Sequence, residues 1–431
     1  MNAEERKQKI RAMADDLADR LAAEWPEAGT DVNDLEDFAE RLGREVQRQI
    51  SEETLQEDAA RRSGNQSACA CGQLALFARM QALPVVTAAG KQRLFRAYYY
   101  CDHCRNGHCP ADVRLRLGIG NTTPTVQARA AALSGMEPYV QVNDLFHQLG
   151  IPIELDIKTL EEVTQAVGHQ LAKAERQPFA AAERLVAVGF DGVMVPTPEG
   201  NREARVGVIY EPDWEAGRTP MAEAGLRKEY FATTKSRQSL VEALGARAQA
   251  RSQGTKVAVV CDGGALDWVE LDPILPNREE ILDLFHVLER VGKIAKHYTP
   301  TDEAAATWRQ AIKEALLNWG PGKLLQDLRD WQPTCEDALK LKREQLNYFT
   351  SQQQRMNYPE YLRRGYPIGS GAVEGACKHV VSDRFRRSGM RWKMATADPV
   401  MHVRAALLTQ PRIDLRAYAA LKPPRVTHPQ A

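Results

Sequence analysis

A succession of apolar runs with one helical segment constrains the fold of this chain more than any other feature. The segments are three strand-like runs at 184–195, 202–210 and 229–233, a helical pattern at 236–251 and a fourth strand-like run at 256–261. Asp191-Gly192 interrupts the first run, and Asp262-Gly263 follows the last. Asp-Gly is also a common turn signal, so either aspartate alone favours a turn, whereas the two together favour a site.

This order of strands and helix is the one expected of a ribonuclease-H-like core, an α/β fold with a mixed sheet. In that topology the strands of Asp191 and Asp262 are neighbours at the centre of the sheet, so their carboxylates could meet. The predicted regions are an acidic helical N-terminal region (1–66), a zinc-knuckle or ribbon (67–112), a helical region with a possible DNA-binding helix-turn-helix (113–180), the first part of the core (181–300), an all-α insertion (301–365), the completion of the core with the Glu374 helix (366–410) and a basic tail (411–431).

Five of the eight cysteines lie between residues 69 and 109, and this spacing is not that of a disulfide framework. The pair Cys69 and Cys71 is separated by a hairpin-like segment from the pair Cys101 and Cys104. Two close cysteine pairs suit tetrahedral coordination of a structural Zn²⁺, because each pair directs two sulfurs toward one point. The alternatives are free cysteines in loops, or a fourth ligand chosen from Cys109, His103 and His108.

The helix-turn-helix prediction rests on residues 138–167. A helix is predicted over 138–149, a break at 150–152, and a second helix capped by Asp156. A helix, a short turn and a second helix can place the second helix in the major groove of DNA. That second helix carries two glutamates, so packing in a helical bundle is an equally good interpretation.

A Gly-Ser-Gly run at 369–371 precedes a helical pattern that carries one acid, Glu374, in its first turn. The simple interpretation pairs Glu374 with Lys378 one turn later. The alternative is a metal-binding glutamate on a helix whose flank lies along a polyanion. The residues predicted to bind DNA on that flank, with the last stacking on a base or anchoring the helix in the core, are Lys378, Arg384, Arg386, Arg387, Arg391 and Trp392.

The segment between Asp262 and Glu374 is long, at 112 positions, and most of it reads as helical. This length predicts an inserted all-α region rather than a loop. Near the start of the segment, Asp283 and His286 open a helix. His286 is a candidate auxiliary metal ligand, although a structural histidine is the more common outcome.

Charge is distributed unevenly along a chain whose formal net charge is zero. Residues 1–66 hold 17 acids and 10 bases, a net charge of −7, whereas residues 361–431 hold 13 bases and 4 acids, a net charge of +9. A basic C-terminal third predicts an anionic partner there. The sequence begins without a signal-peptide core and has no apolar run of membrane-spanning length, so we expect a cytoplasmic protein with no membrane partner.

With these features in place, the chain resembles the DDE transposases of bacterial insertion sequences, most closely the ISKra group, from about residue 67 to residue 410. The motifs that carry the resemblance are CACG (69–72), YYYCDHC (98–104), FDGVMVP (190–196), VCDGGALDW (260–268), DLFHVLERV (283–291) and YPIGSGAVEGACKHVVSDRFRRSGMRW (366–392). The last motif is long and specific, whereas Asp-Gly alone is a weak signal.

The resemblance implies a catalytic triad of Asp191, Asp262 and Glu374 on a ribonuclease-H-like fold, with upstream zinc-knuckle and helix-turn-helix elements that recognise the element's ends. Expected partners are double-stranded DNA, at the element ends and the target, and further copies of the chain in the DNA complex. Expected cofactors are structural Zn²⁺ and catalytic Mg²⁺ or Mn²⁺. Two such ions, about 3.5–4 Å apart, stabilise the attacking and leaving oxygens of an in-line displacement. We expect Asp191 to bridge both ions, with Asp262 and Glu374 each holding one.

Two other functions are compatible with the same residues. One is a metal-dependent nuclease or resolvase that cuts DNA without joining it. The other is a zinc-containing DNA-binding regulator in which the acids are structural.

Overall fold

The computed structural model describes residues 3–62, 64–174, 182, 185–212, 225–264, 268 and 271–420, and the chain divides into two compact units. The first unit comprises residues 1–170 with the segment that begins at Asp414, and the second comprises residues 171–413. Each unit has its own sheet, so the protein is of the mixed α/β class, as predicted. No helix in the described ranges is both long enough and apolar enough to cross a membrane.

A four-stranded antiparallel sheet, in the order β1-β2-β3-β4, organises the first unit. Its strands are β1 (Gln66–Ala68), β2 (Leu74–Thr87), β3 (Gly90–Cys101) and β4 (Asn106–His108). The helices around it are α1 (Ala3–Ala23), α2 (Val32–Ala59), α3 (Pro110–Arg114), α4 (Pro124–Met136), α5 (Tyr139–Gln148) and α6 (Ile157–Lys173), with 3₁₀ turns at Ile119–Asn121 and Leu415–Tyr418. Helix α2 closes a small apolar core with β2 and β3 around Val85 and Leu94.

Helices α5 and α6 occupy the region predicted as a helix-turn-helix. Asp156 caps α6, as predicted, because its carboxylate accepts hydrogen bonds from the backbone N–H (2.9 Å) and the hydroxyl (2.7 Å) of Thr159. The two helices are joined by the eight residues 149–156, which Asn143 holds through paired hydrogen bonds to the backbone of Leu155. This connection is longer than the short turn expected from the sequence and typical of DNA-binding helix-turn-helix motifs.

A five-stranded mixed sheet, in the order β7-β6-β5-β8-β9, organises the second unit. Its strands are β5 (Ala187–Thr197), β6 (Gly200–Pro212), β7 (Gly225–Thr233), β8 (Val257–Cys261) and β9 (Arg278–Leu282). Strands β5, β8 and β9 are parallel, whereas β6 is antiparallel to both β5 and β7. The four predicted strands are confirmed, although the predicted start at Arg184 and the predicted boundary at 180 lie outside the described residues.

Helices cover both faces of this sheet. They are α7 (Arg237–Ser252), α8 (Leu284–Tyr298), α9 (Asp302–Trp319), α10 (Gly322–Asp330), α11 (Glu336–Gln352), α12 (Tyr358–Arg363), α13 (Gly371–Ala376), α14 (Asp383–Phe385) and α15 (Met394–Leu408), with a π-helix at Cys377–Ser382 and a 3₁₀ turn at Gln353–Arg355. The region predicted as an all-α insertion is therefore helical, as α9 to α12.

Two cores follow from the alternation of side chains along the strands. Val188 and Val259 face α7 and pack with its Leu244. Ala187 and Val260 face the other way and belong to a larger core that includes Val373 of α13, together with residues of α8 and α15. The candidate site lies on this second face.

Candidate functional site

Asp191 and Asp262 hold matching positions on two neighbouring parallel strands. The register between β5 and β8 pairs Gly189 with Val260, and each aspartate lies two residues beyond that pair. Because alternate residues of a strand share a face, Asp191 lies on the face of Gly189, which is covered by α13. The prediction that the strands of these aspartates are neighbours at the centre of the sheet is confirmed.

The helix that carries Glu374 packs on the strand that carries Asp191. A Cβ atom placed on Gly189 would lie 3.1 Å from Cβ of Val373, the residue before Glu374. The absence of a side chain at position 189 therefore permits α13 to approach β5 closely. This packing brings the Glu374 segment, which is 112 positions from Asp262 in sequence, to the sheet face that carries the aspartates.

The acids act electrostatically on one another and on a neighbouring thiol. Desolvation raises the pKa of Asp191, and the negative charge of Asp262 raises it further. Burial raises the pKa of the Cys377 thiol to about 12, with contributions from the charges of Asp191 and Glu374. The negative charges of Asp191 on the sheet and of Glu374 on the helix therefore both act on Cys377.

The three carboxylates do not converge on a single point. Among the described residues, the three acids do not form a group whose ligand oxygens all lie within 4.8 Å of one another. Glu374 is exposed and accepts a hydrogen bond from the hydroxyl of Ser370 (2.8 Å).

The donor set nevertheless fits a hard divalent cation. Mg²⁺ and Mn²⁺ prefer carboxylate oxygens to other protein ligands. Burial is the main cause of the raised pKa of Asp191, and the charges of Asp262 and Glu203 add to it. Asp191, Asp262 and Glu374 supply carboxylates of this kind on one face of the sheet, although the three do not form a group whose oxygens all lie within 4.8 Å of one another.

His286 is held by Asp283 near the same acids. Its Nδ1 atom shares a hydrogen bond with the Asp283 carboxylate, which raises the pKa of His286, and the charges of Asp262 and Asp191 act in the same direction. The structure therefore supplies a protein partner for His286, as expected of a structural histidine. Its imidazole also lies within the electrostatic field of the two aspartates.

Two contacts from the helical insertion reach the loop after β8, and no sequence pattern indicates them. The hydroxyl of Tyr348 donates to the backbone carbonyl of Asp262 (2.7 Å), and the side-chain amide of Gln352 donates to that of Gly263 (3.2 Å). The guanidinium of Arg290 lies 3.7 Å from the ring centroid of Tyr348. Helix α11 therefore supports the position of Asp262.

The π-helix after α13 changes the predicted pairing of Glu374. Within the described residues no ion pair joins Glu374 to Lys378, and both side chains are exposed. A π-helix begins at Cys377, so the residues after it are rotated relative to a regular α-helix. The simple interpretation of Glu374 as half of a surface ion pair is therefore wrong.

The predicted DNA-binding side chains divide into exposed and buried groups. Lys378, Arg386 and Arg391 are exposed, and Arg387 is partly exposed, with its Nε donating to the backbone carbonyl of Asp383 (2.8 Å). Arg384 is only 1% exposed, so its prediction as a phosphate contact is corrected.

Arg384 and Trp392 instead form part of the core packing. The guanidinium of Arg384 lies 4.8 Å from the ring centroid of Trp392, and the Trp392 ring lies 4.8 Å from that of Phe385. The backbone N–H of Trp392 donates to the carbonyl of Pro196 at the end of β5 (2.9 Å). Of the two interpretations of Trp392, the structure matches the anchor rather than the base-stacking platform.

A separate candidate metal site lies in the first unit. Cys69, Cys71, Cys101 and Cys104 converge so that their sulfur atoms all lie within 4.8 Å of one another. The Sγ atoms of Cys69 and Cys104 are 3.5 Å apart, and those of Cys71 and Cys101 are 3.7 Å apart. Tetrahedral Zn²⁺ with bonds of about 2.3 Å separates its sulfurs by roughly 3.8 Å, so the cluster could bind a metal such as zinc.

The alternative fourth ligands lie apart from this cluster. Cys109 is buried, and its thiol contacts the side-chain carbonyl of Gln81 (3.9 Å). His108 shares a hydrogen bond with the hydroxyl of Ser67 (3.0 Å) and stacks on Tyr99. Among the described residues, the candidate ligand group therefore consists of the four cysteines and includes neither Cys109 nor either histidine.

Comparison with known proteins adds no assignment. No protein-family model matches the chain, and no curated protein matches it either.

Proposed function

We propose that this protein is a DDE transposase of the insertion-sequence type, which cleaves DNA at the ends of a mobile element and joins them to a target. The observation that supports this proposal best is the matched placement of Asp191 and Asp262 on the adjacent strands β5 and β8. The helix that carries Glu374 packs against β5 at Gly189. Three acids contributed by distant parts of the chain to one sheet face are suited to phosphoryl transfer.

The topology of the second unit supports a ribonuclease-H-like core. Three strands in succession form the antiparallel part of the sheet, and β8 and β9 extend it in parallel to β5. The sequence-based expectation rested on the order of β5, β6, β7, α7 and β8 along the chain, which the structure shares.

The proposed chemistry divides between the acids and the exposed cations. Asp191, Asp262 and Glu374 would hold Mg²⁺ or Mn²⁺, which when bound stabilises the charge that develops on the attacking and leaving oxygens. Lys378, Arg386 and Arg391 would bind the phosphates that flank the scissile bond, because each is exposed on the same segment as Glu374.

The cysteine cluster supports a DNA-binding role for the first unit. We propose that its four thiolates hold a structural Zn²⁺ and that the sheet around them, as a zinc knuckle, contributes to recognition of the element ends. The proposed substrates are double-stranded DNA ends and a DNA target, handled by more than one copy of the chain in the nucleoid.

A strand-transfer assay tests the proposal. Short duplexes with 3′-hydroxyl donor ends are incubated with supercoiled target DNA and Mg²⁺, and the joined products are resolved on a gel. The proposal expects joining by the native chain and none by Asp191→Asn, Asp262→Asn or Glu374→Gln, each with DNA binding retained. Glu360→Gln, which alters a surface acid paired with Arg363 in the insertion, is the matched control and should remain active.

The same assay separates the rival functions. Cleavage of flanked element ends without any joined product would identify a nuclease or resolvase. A salt-sensitive gel shift without nicking would identify a DNA-binding regulator, a function that the cysteine cluster alone also fits.

A further inference from the structure

Asp283 is a fully buried carboxylate that joins three parts of the second unit. It is 0% exposed and lies at the N-terminus of α8. Its Oδ1 atom accepts hydrogen bonds from the backbone N–H groups of Phe285 (3.0 Å) and Ser370 (3.1 Å). Its Oδ2 atom accepts from the backbone N–H of His286 (3.3 Å) and also bonds the imidazole of that residue.

One arm of this network reaches the strand of Asp262. The backbone N–H of Asp283 donates to the carbonyl of Cys261, the residue immediately before Asp262 (3.0 Å). Asp283 therefore holds the end of β8 through its backbone and the Gly-Ser-Gly run through its side chain.

The other arm reaches Glu374. Ser370, whose N–H is bound by Asp283, donates its hydroxyl to Oε1 of Glu374 (2.8 Å). A continuous series of hydrogen bonds thus runs from the residue before Asp262 to the carboxylate of Glu374. Ser370 is itself buried, so this geometry is fixed by packing.

The close approach at Gly369 restricts the same run. A Cβ on Gly369 would lie 2.8 Å from a ring carbon of Phe285, closer than real Cβ atoms lie to such neighbours. The backbone N–H of Leu284, the residue before Phe285, also donates to the carbonyl of Ile368 (2.9 Å). The start of α8 and the run before α13 therefore pack as one rigid junction.

We propose that Ser370 and Asp283 are positioning residues of the metal site, a role that rests on the proposed function. Ser370 orients the Glu374 carboxylate through its hydroxyl. Asp283 sets the place of Ser370 relative to the strand end that carries Asp262. An exposed glutamate otherwise samples many rotamers, so a fixed hydroxyl partner lowers the cost of ordering it around an ion.

A purely structural role for these residues makes a different prediction. A helix cap or buried hydrogen bond affects the stability of the fold and leaves the affinity of the three acids for a cation unchanged. Outer partners of ligating carboxylates typically change metal affinity about 10- to 100-fold when they are removed. Metal affinity therefore separates the two roles without recourse to activity.

The experiment measures Mn²⁺ binding to the zinc-loaded full chain, by the loss of the free Mn²⁺ signal in electron paramagnetic resonance. The variants are Ser370→Ala, Ser370→Thr and Asp283→Asn, with Glu374→Gln as the reference for loss of the third ligand. Two matched controls are Ser236→Ala, which removes the hydroxyl cap of α7, and Asp398→Asn, which alters a buried aspartate bound to Thr234 and His402. Circular dichroism checks that each variant is folded.

We expect Ser370→Ala and Asp283→Asn to weaken Mn²⁺ binding about 10-fold, Ser370→Thr to restore it, and both controls to bind Mn²⁺ as the native chain does. Native affinity in folded Ser370→Ala, or failure of a folded Ser370→Thr to restore binding, would overturn the role of the hydroxyl. Native affinity in folded Asp283→Asn would overturn the role of Asp283. If the native chain itself shows no Mn²⁺ site that depends on Asp191 and Asp262, the proposed function fails first and this inference fails with it.

Discussion

Val373 packs directly on Gly189, where a Cβ atom on the strand would lie only 3.1 Å from Cβ of Val373. Through this contact, the helix that carries Glu374 lies against the strand that carries Asp191. The contact therefore links the local sequence of α13 to the geometry on which the proposed chemistry depends.

Gly189→Ala should destabilise the second unit and disturb the position of Glu374. The new Cβ would lie 3.1 Å from Val373, and such overpacking typically costs about 1–3 kcal/mol. Val373→Gly removes the contacting Cβ atom, so the double variant should lose less stability than the sum of the two single variants. Denaturant unfolding of all three measures the coupling. Additive losses, within about 0.5 kcal/mol, would show that the two positions do not press on each other.

Asp191→Asn should stabilise the metal-free chain at neutral pH. Desolvation and Asp262 raise the folded-state pKa of Asp191 above the usual carboxyl value. In the pH interval between the unfolded-state and the folded-state pKa, the folded state therefore binds more protons than the unfolded state. Stability therefore falls as pH rises through the interval, and the neutral side chain removes this loss. The gain of the variant in thermal midpoint should grow from about pH 4 toward neutrality.

Asp156→Asn is the control of opposite sign for that pH series. Hydrogen bonds from Thr159 lower the pKa of Asp156, so its charged form stabilises the fold above the usual carboxyl range and this contribution disappears as pH falls. Asp156→Asn should therefore lower the thermal midpoint at neutral pH. If the gain in thermal midpoint of Asp191→Asn does not change with pH, Asp191 does not lie in the buried environment near Asp262 that we describe.

Arg384→Ala and Arg386→Ala should differ in kind although the two arginines are two positions apart. Arg386 is exposed, so its loss should weaken DNA binding and reduce the salt slope of the affinity by about 1. Arg384 is buried against Trp392, so its loss should lower the thermal midpoint and leave the salt slope unchanged. Fluorescence anisotropy between 50 and 200 mM salt, paired with thermal melts, distinguishes them. A changed salt slope in Arg384→Ala together with a lowered thermal midpoint in Arg386→Ala would contradict the assignment of Arg386 to DNA binding and of Arg384 to the core.

The purified chain should contain one equivalent of Zn²⁺, and Cys101→Ser should lose it. The four sulfurs surround one point in the first unit, and a structural zinc site fails when a thiolate is removed. Cys109→Ser is the matched control, because that buried thiol contacts Gln81 rather than the cluster. Elemental analysis gives the stoichiometry. Full zinc content in Cys101→Ser would remove the cluster from consideration as a zinc site.

The strands of the second unit could be predicted because their information is local. β5, β6 and β8 are apolar runs bounded by turn residues, and α7 begins at a capping serine, Ser236. The cluster of four cysteines could also be predicted, because the spacing of the two cysteine pairs in the sequence indicates it directly. These features depend on neighbours in sequence, which a single chain displays directly.

Other features depend on partners that the sequence places far away. In the sequence, Arg384 is one of several neighbouring cationic residues. It is buried because it packs on Trp392, whose backbone is hydrogen-bonded to the end of β5. Tyr348 supports Asp262 from 86 positions away, and Asp283 binds Ser370 from 87 positions away. No periodicity or spacing rule reports such contacts, so sequence reasoning missed the residues that support the candidate site.

The most direct test of a shared cation site is the anomalous scattering of Mn²⁺ in crystals of the chain bound to a DNA end. We predict Mn²⁺ density within bonding distance of Asp191 and Asp262, with Glu374 completing the coordination. Mn²⁺ density elsewhere, or Glu374 held away from the two aspartates in the DNA-bound state, would contradict a common role for the three acids.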